Sequence, residues 1–356
     1  MNWQNKVTEI LKTQYPIIQA PMFGVSTPEM VVSASEVGCL GSLPMADLRA
    51  DKCIELIELV KTRTDKPFAA NIFVYDLPVI DQKLKDNYKR VKSFIETLAQ
   101  QHQLDVVLPE IDDLKFSGYR DLIDVIISAD CKILSFTFGI PDKVSLQKLK
   151  ENKVILIGTC STVQEAVKLE KYGIDIICVQ GSEAGGHRGN FLAEKPIGDP
   201  GIALLQKVSA VVSIPLIYAG GVYTGHQIIN SQSNGAQGYQ VGSLLLGTPE
   251  SALTKVEKSR LKAIGDNDIV LTKSFSGRYA SGIKNVFTQA IDDTVNILPF
   301  PFQNKLTAEL RRISKINHNT DFVNIWAGKN FRNSSESSTA VLLRRLIEET
   351  EEYSNN

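Results

Sequence analysis

The chain has 356 residues, with 39 Lys and Arg against 40 Asp and Glu, for a formal charge of −1. A hydrophobic fraction of 43% and a charged fraction of 22% are those of a globular protein with a sizeable core, and they exclude disorder over most of the length. A balance so near neutrality gives no electrostatic reason to expect nucleic acid as a partner.

The amino-terminal segment MNWQNKVTEI lacks a basic stretch followed by an apolar one, so no signal peptide is expected. No apolar run reaches the ~18 residues of a membrane span, and no membrane partner is expected. The five cysteines, Cys39, Cys53, Cys131, Cys160 and Cys178, are widely spaced and contain no CxxC, which fits reduced thiols in a cytoplasm. Four histidines without metal-ligand spacing, together with two glycines between Glu183 and His187, argue against a metal site.

In chain order, short apolar runs at 16–20, 40–43, 68–73, 132–136, 153–158, 174–180, 214–220 and 236–242 read as strands. They neither alternate in and out nor meet at hairpin turns, as expected of parallel strands buried on both faces. Helical patterns at 28–37, 52–62, 162–172 and 224–232 lie between them. Thr27-Pro28 predicts a capped start with proline in the first turn, and Ser161 to Gln164 and Thr224 to Gln227 fit capping boxes. Eight such units predict an α/β fold, a (β/α)8 TIM barrel, whose usual size is ~250 residues. A doubly wound open sheet is the structural alternative. The barrel is expected over 1–250, with an insertion at about 75–117 that carries a long polar helix at 81–103. Residues 251–356 are expected as a mostly helical segment packing on the barrel and covering its active site. There, 274–285 reads as a glycine-punctuated loop, 298–304 as a proline-rich turn and 338–352 as an amphipathic helix.

In a barrel, the residues just past the carboxyl ends of the strands form the active face. Here they are Pro21-Met22-Phe23-Gly24 after the first strand, Asn71 in the third, and Gln180 with the loop GSEAGGHRG (181–189) after the sixth. Gly220-Gly221 follows the seventh, and Gln240-Val241-Gly242-Ser243 ends the eighth. Glycines at two consecutive strand ends, with a capped helix start and a serine hydroxyl, are the layout of a barrel phosphate site. Charge-assisted hydrogen bonds there would contribute roughly 1.5–3 kcal/mol each. No GxGxxG occurs, so a Rossmann dinucleotide site is not expected. His187, flanked by glycines at a strand end, suits proton abstraction. Arg188 suits an anionic substrate group, or a surface ion pair. His102, His226 and His318 read as surface residues, Cys160 as an inert thiol, and Phe136, Phe138, Phe300 and Phe302 as core or pocket wall.

At PIIQAPMFGVSTPEM (16–30), GSEAGGHRG, IPLIYAGGV and IWAGK (325–329), the chain resembles the nitronate monooxygenase family over nearly its whole length. The resemblance implies a barrel flavoprotein that binds FMN and oxidises alkyl nitronates with dioxygen to carbonyl compounds and nitrite. It implies His187 as catalytic residue, Asn71, Gln180, Gly185 and Gly221 as flavin contacts, and Gln240, Val241, Gly242 and Ser243 as the phosphate segment; Met22 and Gly220, at the strand ends, complete the expected cofactor-binding set. It also implies Arg188 beside the carboxylate of a substrate such as propionate 3-nitronate, a toxic compound that turnover would remove. Thr224-Gly225-His226 departs from the family's aspartate-glycine-arginine, and Ser243 replaces a common threonine. A flavin-dependent enoyl-ACP reductase, an NADH:quinone reductase and a flavin-binding protein without turnover are the alternatives.

Overall fold

The computed structural model describes residues 2–46, 48–196, 198–265, 267–292, 294, 296–329, 331 and 335–355. All eight expected runs hold parallel strands: β1 (Ile17–Gln19), β2 (Gly41–Ala46), β3 (Phe68–Phe73), β4 (Ile133–Thr137), β5 (Ile155–Cys160) and β6 (Ile176–Gln180). After the two-residue strand β7 (Gly186–His187) come β8 (Leu216–Ala219) and β9 (Gly238–Val241). Eight of these form one sheet in the order β1-β9-β8-β6-β5-β4-β3-β2. An Ile18–Leu40 bridge joins its two edges, with Gln19 N donating to Leu40 O at 2.9 Å. The Gln19 side chain reinforces this thin seam, its Oε1 accepting from Ser42 N at 2.9 Å. The result is a nearly closed TIM-like barrel.

Sequence sets the helix starts locally. Thr27 accepts from Met30 N with Pro28 in the first turn, and Thr224 and Gln227 form the expected capping box. The cap expected at Ser161 lies one residue later: Thr162 accepts from Glu165 N, while Ser161 donates to the buried Glu165 carboxylate. The last helix, Thr339–Asn355, packs against the helices Gly225–Ser233 and Pro28–Glu36 and gives Leu342, Leu343, Leu346 and Ile347 to the barrel core. Part of the chain after 250 therefore completes the outer ring.

The inserted helix Gln82–Gln101 is capped by Asp81 and buries Leu84, Tyr88, Val91, Ile95 and Ala99 on one stripe. This stripe does not join the barrel core. It meets Phe275, Phe287, Phe302, Leu306, Leu310 and Phe322 in a second core. Two stretches read as irregular are regular. The loop 274–285 contains β11 (Ala280–Ile283), which pairs antiparallel with β10 (Ile269–Thr272) and with β7. The turn region 298–304 opens a helix, Phe302–Ile316, whose apolar stripe lies in that second core. Among the described residues, no helix is long and apolar enough to cross a membrane, and no cluster of His, Cys, Asp and Glu could hold a metal ion.

Candidate functional site

A cavity of about 680 Å³ opens at the carboxyl ends of the barrel strands. Met22, Asn71, Gln180, Gly185, His187, Gly220, Gly221, Gln240, Gly242 and Ser243 all line it. Val241 and Arg188 do not. Successive residues of a strand point to opposite faces. With Gln240 on the cavity, the Val241 side chain turns into the barrel core.

Arg188 is a larger correction. Its side chain is buried, 5% exposed, and its guanidinium donates to Gly181 O at 2.8 Å, to Ala184 O and to Ser281 Oγ. Its backbone N–H donates to Tyr279 O at 2.8 Å. The cation holds its own loop against β11, lines no part of the cavity and does not reach the surface. Among the cavity-lining residues, the cations of the helix Phe302–Ile316 are Lys305, Arg311, Arg312 and Lys315.

The backbone of His187 is fixed from two sides. In β7 it pairs with Ala280 of β11. From below, Gln180 Nε2 donates to His187 O at 3.0 Å, and Gln180 Oε1 accepts from Gly189 N at 2.8 Å. Gly186 makes the turn possible, at φ 72°. The imidazole sits among Phe73, Phe138 and Trp326, with ring centroids 6.2, 5.6 and 5.4 Å away, and its Nε2 is 2.8 Å from Ser276 Oγ. Arg278 stacks on the Phe138 ring at 4.0 Å. Desolvation above all, then the positive charges of Arg278, Arg311 and Arg188, push the His187 pKa down to about 3. Burial lowers the pKa values of Arg188 and Arg278 only to about 10, so both stay charged near neutrality. His187 is thus a neutral imidazole in a positive surround. The Cys178 thiol lines the cavity, but burial pushes its pKa up to about 12 and keeps it protonated.

On the far side of the mouth, the N–H groups of Gly221, Val222, Gly242 and Ser243 have no acceptor among the described residues. Gly221 takes a φ of 64°, a left-handed conformation that costs glycine nothing and strains most L residues. Ser243 Oγ accepts from Gly328 N at 2.9 Å and so ties the IWAGK segment to this rim. Asn71 donates to Ser135 Oγ at 2.9 Å on the barrel floor. The arrangement suits an anion bound to backbone amides on one side and a proton acceptor on the other.

Ser276, Arg278, Phe73 and Arg311 are site residues that the sequence reading missed. The first two lie in SFSGR, a run whose only local signal is its glycine. His102, His226 and His318 are exposed, as expected. Cys160 is fully buried outside the cavity lining, Phe300 lines the cavity, and Phe136 and Phe302 are core residues.

The profile of the nitronate monooxygenase family matches residues 4–349. A probable nitronate monooxygenase of Bacillus subtilis (strain 168) is 37% identical, covering 94% of this chain and 95% of its own. One from Staphylococcus haemolyticus (strain JCSC1435) is 34% identical over 98% of both. Among solved structures, nitroalkane oxidase from Streptomyces ansochromogenes superposes with a TM-score of 0.89 at 27% identity, over 99% of both chains. FabK from Thermotoga maritima shares the fold, with a TM-score of 0.74 at 22% identity over 99% of this chain and 97% of that one. The chain belongs to the nitronate monooxygenase family of oxidoreductases.

Proposed function

We propose that the chain binds FMN at this cavity and oxidises alkyl nitronates with dioxygen to carbonyl compounds and nitrite, removing toxic nitronates such as propionate 3-nitronate in the cytoplasm. The observation that carries the reading is the pairing of two features across one cavity: unpartnered N–H groups at Gly221, Val222, Gly242 and Ser243, and a neutral His187 among arginines.

The residues present fit the cofactor. The four N–H groups and the Ser243 hydroxyl would hold its single phosphate, with Gly220 and Gly221 leaving room for close approach. Gly185 and Gly242 keep the wall thin, since a Cβ at Gly185 would stand 2.6 Å from Gly328 N. Met22, Asn71, Gln180 and Gln240 supply the remaining lining on the cofactor's side. When bound, the flavin supplies the redox chemistry, taking electrons from the substrate and passing them to dioxygen.

The protein's own part is electrostatic and positional. Arg278, Arg311 and Arg188 favour an anion beside His187, which suits a nitronate. A neutral imidazole can take the proton alpha to a nitro group when the substrate arrives un-ionised. The cluster of Phe73, Phe138, Phe300 and Trp326 walls off water beside the reacting carbon. The barrel with its insertion, 1–250, carries the cofactor site, and the segment 251–356 supplies the cover and the last ring helix.

The reading is tested by nitrite release. Purified protein reconstituted with FMN should release nitrite from propionate 3-nitronate in air with no nicotinamide present. No nitrite together with turnover of NADH or NADPH would favour an enoyl-ACP or quinone reductase. A bound flavin without either reaction would leave a binding protein.

A further inference from the structure

Ser276 is 1% exposed, and three polar groups crowd its hydroxyl. Arg278 N lies 3.2 Å from Ser276 Oγ, Arg278 O lies 3.1 Å away, and His187 Nε2 lies 2.8 Å away. A serine hydroxyl has one proton to donate and two lone pairs to accept with. The Arg278 N–H can only donate, so it takes one lone pair. The Arg278 carbonyl can only accept, and no other donor reaches it among the described residues. It therefore takes the hydroxyl proton. One lone pair remains for His187, and filling it requires a proton on Nε2. The opposite arrangement, with the hydroxyl donating to a bare Nε2, would strand the Arg278 carbonyl. Arg278 is half-buried, and leaving its carbonyl without a donor would cost part of that group's desolvation penalty.

The other ring nitrogen completes the picture. Nδ1 has no hydrogen-bond partner among the described residues, yet it is not a nitrogen sealed from solvent. It opens on the cavity that the ring lines. We propose that Ser276 is a positioning residue that holds His187 in its Nε2–H tautomer, leaving Nδ1 as the bare nitrogen that receives the substrate proton. The inference rests on the reading of His187 as base for neutral nitroalkanes. In that step the C–H bond alpha to the nitro group breaks, its electron pair stays on the nitronate, and the proton forms an N–H bond at Nδ1. No oxidant takes part in this transfer.

The test separates Ser276 from the wider reading. Protein labelled with ¹⁵N-histidine gives long-range ¹H–¹⁵N correlations that report which ring nitrogen carries the proton, and H187N identifies the His187 signals. The wild type should show the Nε2–H pattern at neutral pH, Ser276→Thr should keep it, and Ser276→Ala should lose it or average it with the other tautomer. An Nδ1–H pattern in the wild type, or an unchanged spectrum in Ser276→Ala, would overturn the proposal. With flavin-loaded enzyme, Ser276→Ala should oxidise a neutral nitroalkane about 10- to 100-fold more slowly, a smaller loss than the about 10²–10⁴-fold worth of general-base catalysis itself. Oxidation of the matching pre-formed nitronate, which has no proton to give up, should fall by a smaller factor. Equal losses on both substrates would make Ser276 merely structural. Failure of the wild type on every substrate would count against the function proposed above, while the tautomer spectrum would still decide the role of Ser276.

Discussion

Arg278 lies over one face of the Phe138 ring, 4.0 Å from its centroid, and the edge of the same ring system meets His187 at 5.6 Å. Its guanidinium also donates to Asn190 O, which keeps the cation in place without a carboxylate within ion-pair range among the described residues. The positive charge thus stands permanently beside the imidazole. Replacing Arg278 by Gln should raise the His187 pKa from about 3 towards the ordinary 6.5, and the ¹⁵N-histidine titration reads the shift directly. An unmoved pKa would remove Arg278 from the causes and leave the depression to desolvation and the other two arginines.

The same depression has a consequence for stability. The unfolded chain takes up the His187 proton near pH 6.5, whereas the folded chain resists it down to about 3. Stability from the neutral ring is therefore complete above pH 6.5 and is lost as pH falls through that window. Urea unfolding at pH 7 and pH 4.5 should show a larger acid loss in the wild type than in His187→Asn. An equal loss in both would remove His187 from the acid response.

Gly221→Asp tests the amide cradle. The side chain would meet a φ of 64°, at a strain of about 1–2 kcal/mol, and would set a negative charge where the phosphate is expected. FMN binding should collapse, while circular dichroism stays that of the barrel. Riboflavin, which has no phosphate, should lose much less affinity. Full FMN occupancy in this variant would place the phosphate elsewhere.

Arg188→Met separates a structural cation from a substrate-binding one. It leaves Ala184 O and Ser281 Oγ without their donor and Gly181 O with only the Ala184 N–H, at a cost of about 3 kcal/mol. The melting temperature should fall, while the ratio of KM values for propionate 3-nitronate and an uncharged-tail propyl nitronate stays constant. A KM rise confined to the carboxylate substrate would restore Arg188 to the binding site.

The barrel was legible because strands buried on both faces write themselves as short apolar runs, and because proline, threonine and glutamine mark helix starts by local chemistry. The candidate site was legible where glycine carries the signal, at Gly185, Gly220, Gly221 and Gly242. Side-chain direction was not. Arg188 turns away from the cavity because β7, only Gly186–His187, pairs with β11, and neither Gly-His nor Ala-Ser-Gly-Ile has strand patterning. Val241 misses the cavity by the alternation of its strand. The Phe302–Ile316 helix was hidden behind Pro299 and Pro301, and its apolar stripe has meaning only against Tyr88 and Ile95, far away in sequence.

His187→Asn keeps bulk and polarity but removes the titrating nitrogen. Oxidation of a neutral nitroalkane should fall by about 10²–10⁴-fold, and that of a pre-ionised nitronate by much less, since it has no proton to give up. Steady-state kcat/KM on the two forms of one substrate measures this. Equal losses would make His187 a binding group and not a base.

The central claim is that nitronate itself, and no nicotinamide, supplies the electrons. Anaerobic stopped-flow mixing of the FMN-loaded protein with propionate 3-nitronate, and separately with NADH and NADPH, tests it most directly. Loss of the oxidised flavin absorbance is expected with the nitronate and little with either nicotinamide. Rapid loss with NADH or NADPH, and none with nitronate, would contradict the account and assign the cavity to a reductase.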